Sequence, residues 1–142
     1  MKLFGKHSQS EAYAKELASL LVRQPVIMRR TEGYWFIAIG ARYLITTDTW
    51  RLIGAKSIIT TSDDDGHQFG LPAPVDAEAK ANEALADKRT AAVEMDVRTG
   101  DCTLRFEEAL SLQILTMSSG YETWQLYREG EFFGAVGNEG LR

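Results

Sequence analysis

Cysteine and histidine are scarce in this sequence, and each shortage excludes a kind of structure or site. The 142 residues include 1 cysteine, 2 histidines and 3 prolines. Cys102 has no second cysteine with which to form an intramolecular disulfide, which indicates a reducing compartment. One cysteine and 2 histidines lack the number and spacing of ligands that a zinc site needs. We therefore expect no metal and no cofactor, and a fold held together by its hydrophobic core.

Long apolar runs and clusters of basic residues are lacking as well. The longest apolar run covers residues 34–39, which is far too short to cross a membrane. No apolar stretch typical of a signal peptide follows Lys2. The formal net charge is −4, and the Arg29-Arg30 pair is too small to form a phosphate-binding surface. We expect a cytoplasmic protein that binds neither membranes nor nucleic acid, whereas a basic protein partner is compatible with its charge.

The motifs of common enzymes are also absent. The sequence has no Gly-x-Ser-x-Gly motif, no glycine-rich phosphate-binding loop and no His-Glu-x-x-His motif. Glu107 and Glu108 are adjacent, but they fall at a predicted hairpin tip, where exposed carboxylates are poorly placed for acid–base catalysis. We predict no catalytic residue, and the balance is against an enzyme.

The length predicts one domain, covering residues 1–142, and the apolar pattern predicts an α+β fold. A helix is predicted over residues 8–23, where Ser8 and Glu11 have capping-box spacing and an apolar stripe recurs every three or four residues. Strands begin at residue 26. Residues 34–39 are apolar at both odd and even positions, which predicts a central strand covered on both faces.

The second half begins with a long loop and a helix and then consists of strands. The loop covers residues 62–75, and an alanine-rich, peripheral helix follows over residues 76–88, with Asp76 as its expected N-cap. Residues 90–137 contain short alternating segments separated by turn residues, which predicts an antiparallel meander. We expect a bent antiparallel sheet or a two-layer β structure, with the first helix packed on it. The open edges of such a sheet make a homodimer plausible.

The C-terminal third carries a motif that resembles a known family. Leu104 and Phe106 open a hairpin, a leucine-rich strand follows, and the run 118–124 reads Ser-Ser-Gly-Tyr-Glu-Thr-Trp. This pattern resembles a family of small bacterial proteins of unknown function, some of which resemble immunity proteins of toxin systems. The resemblance implies a toxin-neutralising protein and offers no enzymatic activity to carry over.

The loop 62–75 is the first candidate site. It contains three consecutive aspartates, two glycines and two prolines, and a loop of this length in a compact domain needs a functional or structural reason. A calcium-loop alignment fails, because the twelfth position falls on Pro72. Three interpretations remain open: a solvated acidic loop, a protein-binding loop, and a metal or catalytic loop. The candidate partner-binding residues are Asp63, Asp64, Asp65, His67 and Phe69.

Aromatic residues form the second candidate site. Tyr and Trp are frequent at binding hot spots, but they also fill protein cores. A small-ligand pocket lined by these side chains and a purely structural role are both open at this stage. The candidate residues are Trp35, Trp50, Tyr121, Glu122 and Trp124. From the sequence we therefore expect a non-catalytic protein-binding module, immunity-like in its specific form, with a small-ligand-binding domain as the alternative.

Overall fold

The computed structural model describes residues 7–121, 123–137 and 140–141. Within these residues the chain forms two helices and eleven strands, so the fold is mixed α+β and mostly sheet, as predicted. Neither helix is long and apolar enough to cross a membrane. The elements, in chain order, are α1 His7–Leu20, β1 Val26–Arg30, β2 Trp35–Ile39, β3 Tyr43–Thr47, β4 Trp50–Ile53, β5 Ile58–Thr61, α2 Ala77–Leu85, β6 Ala92–Met95, β7 Cys102–Arg105, β8 Ser111–Ile114, β9 Trp124–Arg128, β10 Glu131–Gly137 and β11 Gly140–Leu141.

The strands are divided between two antiparallel sheets. Sheet I has the strand order β1-β2-β3-β9-β10-β11, and sheet II has the order β5-β4-β8-β7-β6. The predicted C-terminal meander is therefore only half right, because β6, β7 and β8 are neighbours in sheet II whereas β9 pairs with β3 in sheet I. The chain changes sheet in the segment 115–123, which contains the turn residues Ser118, Ser119 and Gly120.

Tryptophan side chains join the two sheets. Trp35 of sheet I and Trp50 of sheet II are both buried, and their rings meet edge to face with centroids 5.0 Å apart. Trp124 of sheet I is also buried, and its Nε1 donates a hydrogen bond to the carbonyl of Gly100, in the turn that precedes β7. Alternate residues of the strands contribute to the same buried cluster, because successive strand side chains point to opposite faces.

The N-terminal helix ends earlier than the predicted residue 23. Helix α1 ends at Leu20, and Arg23 has a left-handed backbone with φ 63°, two residues before Pro25. The predicted apolar stripe is nevertheless buried at Tyr13, Leu17 and Leu21, and the helix packs against β6. The alanine-rich helix likewise ends at Leu85 instead of residue 88, because Ala86 and Asp87 leave the helical conformation.

Helix α2 covers the open edge of β1 in an unusual way. Asn82 accepts a hydrogen bond from the Met28 amide at 2.8 Å and donates one to the Met28 carbonyl at 2.9 Å. Four residues earlier, Glu78 accepts from the Arg30 amide at 2.6 Å. Four helical residues rise about 6 Å and two strand residues span about 6.7 Å, so the two side chains match the spacing of the strand. Strand β1 is therefore not among the edges open to self-pairing.

The prediction that residues 34–39 are covered on both faces is wrong. Trp35, Ile37 and Ile39 of β2 are buried, but Phe36 and Ala38 lie on the opposite face of sheet I and are only partly buried. Neither helix packs on that face, because α1 contacts β6 and α2 lies at the β1 edge and against β5. Apolar residues at both odd and even positions show that both faces of the strand are apolar, but they do not show what covers each face.

Candidate functional site

The loop 62–75 is closed at its base by backbone hydrogen bonds. The Gly66 amide donates to the Val75 carbonyl at 2.9 Å, and the Val75 amide donates to the His67 carbonyl at 2.8 Å. These bonds pair the two ends of the segment in the manner of a short ladder. Gly66 reaches this position with φ 82°, a left-handed conformation that glycine adopts without steric cost. The residues between His67 and Val75 therefore project as a compact loop, which is a common form of surface loop with a function.

Asp65 fixes this base to the rest of the fold. Its two carboxylate oxygens accept from Nε and Nη2 of Arg30 at 2.6 and 2.9 Å, which is the bidentate geometry of a strong arginine–carboxylate pair. One of them also accepts from the Ala77 amide at 2.9 Å, at the first residue of α2. The Arg30 hydrogen bonds, and after them the Ala77 amide, hold the pKa of Asp65 below its ordinary value.

Arg30 is shared with a second carboxylate. Its Nη2 also donates to Asp76 at 2.9 Å, and Asp76 caps α2 by accepting from the Ala79 amide at 3.1 Å. The cap and then the guanidinium lower the pKa of Asp76, and the two aspartates raise the pKa of Arg30. The guanidinium also lies over the Trp35 ring, 5.5 Å from its centroid. We call this set of Arg30, Asp65 and Asp76 the Arg30 clamp.

The Arg30 clamp changes the role of the acidic cluster. Asp65 is engaged inside the molecule, so of the three predicted partner-binding aspartates it is the one least available to a partner. Asp63 is exposed and Asp64 is half-buried. The acidic cluster therefore divides into the Asp65 carboxylate, which is bound to Arg30, the exposed Asp63 and the half-buried Asp64.

The outer part of the loop is apolar. Phe69 is 65% exposed and Leu71 is 49% exposed, although large apolar side chains of this kind are usually buried. The His67 ring stacks on Phe69 with centroids 5.5 Å apart. The backbone is held by the Leu71 amide, which donates to the Gln68 carbonyl, and by the Gln68 side chain, which donates back to the Leu71 carbonyl, both at 2.7 Å. We call His67, Phe69 and Leu71 the loop tip.

No metal-binding arrangement accompanies the loop. Within the described residues, no group of three His, Cys, Asp or Glu side chains is close enough to hold a metal ion. His67 is turned toward Phe69, and Asp65 is committed to Arg30.

Comparison with known proteins gives no relative. No protein-family model matches this chain, and no curated protein or solved structure is significantly similar to it. The properties of the site therefore rest on its own geometry.

The second candidate set is separated by the structure. Trp35, Trp50 and Trp124 are buried in the core, whereas Tyr121 is exposed, so these four side chains do not line one pocket. The fifth candidate, Glu122, lies outside the described residues. Trp124 alone borders an open cleft of about 340 Å³, whose walls include Tyr34, Asp48, Gln125 and Tyr127.

Two kinds of residue in the site were missed from the sequence. Arg30 and Asp76 complete the clamp. In the sequence, Arg30 is recognisable only as part of a small basic pair, and Asp76 only as a helix cap. Leu71 belongs to the loop tip, and a leucine between glycine and proline in a long loop is a signal that could have identified it. The pairing of Arg30 with Asp65 spans 35 residues of sequence, and no local pattern indicates it.

Proposed function

We propose that this chain is a non-catalytic protein-binding module and that its partner contacts the loop tip. The observation that carries the proposal is the exposure of Phe69 and Leu71 on a loop whose base is fixed by the Arg30 clamp. Exposed apolar side chains on an ordered loop are typical anchors for a pocket in another protein, where aromatic residues are enriched.

The rigidity of the loop supports this function. Ordering a loop on binding opposes association, since every immobilised side chain and backbone segment loses conformational entropy. The paired backbone at Gly66 and Val75, the clamp at Asp65 and the turn at Gln68–Leu71 order the loop before a partner arrives. The apolar contact made by the tip is then available to binding without that cost.

The charge around the loop tip defines the chemistry of the partner. Asp63 and Asp64 lie at the foot of the loop, and the chain as a whole carries a net charge of −4. A complementary surface has an apolar pocket for Phe69 and Leu71 with basic residues at its rim. Opposite charges at a rim speed association more than they deepen affinity.

A toxin-neutralising role is the specific form of this proposal. The resemblance of the 118–124 run to a family with immunity-like members supports it, and so does a rigid, acidic binding loop that suits a basic protein. In this proposal the protein acts in the cytoplasm. Its two sheets form a two-layer scaffold in which α1 and α2 close the sides, as their contacts with β6, β1 and β5 suggest.

Purified variants and a captured partner test the role of the loop tip. Tagged wild-type protein is used to capture proteins from the native lysate, and the partner is purified and titrated with Phe69→Ala and Leu71→Ala. Each substitution should weaken binding by about tenfold or more. Met117→Ala is the matched control, because Met117 is also an exposed apolar residue but lies far from the loop in sequence. Equal binding by all three variants contradicts the proposal.

The charged part of the proposal is tested separately. Asp63→Asn and Asp64→Asn should slow association at low salt and leave the dissociation rate nearly unchanged, since rim charges act on encounter. The difference from wild type should shrink as salt is raised. An effect on dissociation that salt does not alter would place these aspartates in a direct contact instead.

A small-ligand site is the second candidate function, and the cleft beside Trp124 is the observation that favours it. Tyr34 and Tyr127 provide aromatic walls, and Asp48 and Gln125 provide polar groups, a combination typical of sites for small polar molecules. A thermal-shift screen of sugars and nucleosides tests it, with Tyr34→Ala as the variant that should abolish any shift.

A further inference from the structure

The outer face of sheet I carries a continuous apolar row. The register places Ile27 of β1 beside Ala38 of β2, Ala38 beside Leu44 of β3, and Leu44 beside Tyr127 of β9. Tyr127 is paired in turn with Phe132 of β10. The row therefore crosses five adjacent strands without a charged side chain.

The ends of this row are strongly exposed. Ile27 is 58% exposed and Phe132 is 53% exposed, and the three residues between them are partly buried only by their neighbours in the sheet. Tyr127 and Phe132 meet edge to face with ring centroids 6.0 Å apart. Phe36 lies on the same face of β2, two residues before Ala38, and enlarges the patch. The Tyr34 ring packs against the Phe36 ring with centroids 5.4 Å apart. Contiguous apolar patches on a sheet face mark interaction sites.

Sheet II provides an internal comparison. The corresponding row on its outer face is Arg51, Gln113, Thr103 and Glu94, in register across four strands. These side chains are polar or charged, which is the ordinary composition of a solvated sheet face. The apolar composition of the outer face of sheet I is therefore specific to that sheet.

We propose that the outer face of sheet I binds the same face of a second copy of this chain. Face-to-face packing of sheets is a common way to bury an apolar sheet surface. A two-fold axis through Leu44, parallel to the strands, places Leu44 on its own copy and reverses the order of the row. Ala38 then faces Tyr127 and Ile27 faces Phe132, so that small side chains meet large ones.

The charge of the face favours this occupant. Two copies of a chain with net charge −4 repel each other over most of their surfaces, and a self-contact is best tolerated where charge is absent. Arg29 is the charged residue on the next row of β1, beside Phe36. The Arg42–Glu129 pair lies beyond the other side of the apolar row and is neutral as a pair.

The size of the face sets the strength of the contact. Five strands span about 24 Å and five residues extend about 17 Å, which gives a projected area of about 400 Å². The accessible area of protruding side chains exceeds the projected area, and a standard interface buries about 800 Å² per partner. The face is therefore at the small end of specific interfaces, which predicts a weak and reversible dimer.

Sedimentation of the full chain over a wide concentration range tests the dimer. Wild type should change from monomer to dimer with rising concentration, and Ile27→Lys and Phe132→Lys should each weaken the dimer by about 100-fold, because every substitution occurs twice in a symmetric interface. Both positions are exposed, so folding should be retained, which the far-UV circular dichroism and melting temperature check. Thr103→Lys on sheet II is the matched control and should dimerise like wild type.

Crosslinking then tests the position of the axis. Leu44→Cys should be joined to its own copy by a short bismaleimide, and Ala38→Cys should crosslink to Tyr127→Cys more readily than to itself. The native Cys102 is fully buried and does not compete. Thr103→Cys should remain uncrosslinked at the same concentration.

The results separate this dimer from partner binding at the loop tip. A chain that stays monomeric at every concentration, or a dimer that the lysine substitutions leave intact, overturns the proposal. Loss of partner capture by Ile27→Lys in a monomeric chain would assign this face to a different protein and would also overturn it. The loop-tip variants should leave dimerisation unchanged, because none of the loop-tip residues belongs to the apolar row of sheet I.

Discussion

Removal of the Asp65 carboxylate should loosen the loop base and destabilise the whole fold. Asp65→Ala deletes the acceptors of two Arg30 hydrogen bonds, at 2.6 and 2.9 Å, and of the Ala77 amide at 2.9 Å. Arg30 keeps Asp76, but it loses its bidentate partner. The contacts that join the loop to β1 and to the start of α2 are therefore removed together.

The expected loss of stability lies between two reference cases. Exposed ion pairs contribute about 0–1 kcal/mol, whereas hydrogen bonds to charged groups contribute about 1.5–3 kcal/mol. The Asp65 side chain is 18% exposed and that of Arg30 is 41% exposed, so the pair is neither fully solvated nor buried. We expect Asp65→Ala to lower the free energy of unfolding by about 2 kcal/mol, which corresponds to about 6 °C in Tm for a chain of this length.

The pH dependence supplies a sharper test than the magnitude. The pKa of Asp65 is lower in the folded protein than its ordinary value, mainly because of the Arg30 hydrogen bonds. A carboxyl group with a depressed folded-state pKa contributes stability that is fully present above its unfolded pKa of about 3.9 and is lost as the pH falls through the folded-state value. The difference in unfolding free energy between wild type and Asp65→Asn should be constant from pH 8 to about pH 5 and should shrink below about pH 4.

Urea denaturation at a series of pH values measures this difference. Asp63→Asn is the control, because Asp63 is an exposed neighbour without a hydrogen bond to Arg30, and it should be as stable as wild type at pH 7. A stability difference that persists unchanged at pH 2.5 would refute the assignment of the effect to the ionised carboxylate. An Asp65→Ala variant as stable as wild type would refute the clamp itself.

Two further predictions concern the scaffold. Asn82→Ala leaves both backbone groups of Met28 without their side-chain partners at the β1 edge. We expect the free energy of unfolding, measured by urea denaturation, to fall by about 2 kcal/mol and aggregation on heating to become faster. Unchanged values for both would show that the edge is closed by other means. Gly40→Ala should cost slightly more stability than Gly33→Ala, although both glycines have positive φ. A Cβ at Gly40 would lie 2.2 Å from Oε1 of Gln24, so the flexible end of that side chain has to move, whereas nothing lies within 4 Å at Gly33; a lower melting temperature for Gly33→Ala than for Gly40→Ala would contradict this reasoning.

The elements of the fold were largely predictable because their signals are local. The stripe of α1, the start of β1 at Val26, the cap at Asp76 and the loop between β5 and α2 all depend on residues a few positions apart. The helix ends were set too late in both cases, since left-handed residues such as Arg23 and Asp87 carry no strong sequence signal. Such residues are neither glycine nor asparagine, which are the usual markers of a helix end.

The division into two sheets was not predictable in the same way. Strand β9 has the same alternation as β7 and β8, but it pairs with β3, which lies about 80 residues earlier in the chain. Period-two alternation indicates which side chains share a face, but it does not indicate which strand pairs with which. The choice is made by tertiary contacts, among them the hydrogen bond from Trp124 to the Gly100 carbonyl.

The candidate site shows the same limit from the functional side. The acidic run 63–65 was noticed because its residues are adjacent, but adjacency does not indicate that Asp65 turns inward to Arg30 while Asp63 remains outside. A charged run on a loop is therefore not one functional unit. Substituting all three aspartates together would mix a stability effect with a binding effect, and single substitutions at Asp63 and Asp65 are needed to separate them.

The apolar residues on the outer side of β2 make the strongest link between sequence and function. Residues Phe36 and Ala38 fit either a buried central strand or a strand whose outer face meets another molecule, and periodicity cannot distinguish the two. Within the described residues the helices lie against β6, β1 and β5, and neither of them covers this face. An apolar face that the chain does not cover with its own elements has to be covered by a partner or exposed to water at a cost that grows with its area. In the proposed dimer, self-association through the Ile27–Phe132 row would remove that cost without using the loop tip, so one molecule could bind its own copy through sheet I and the proposed partner through the loop.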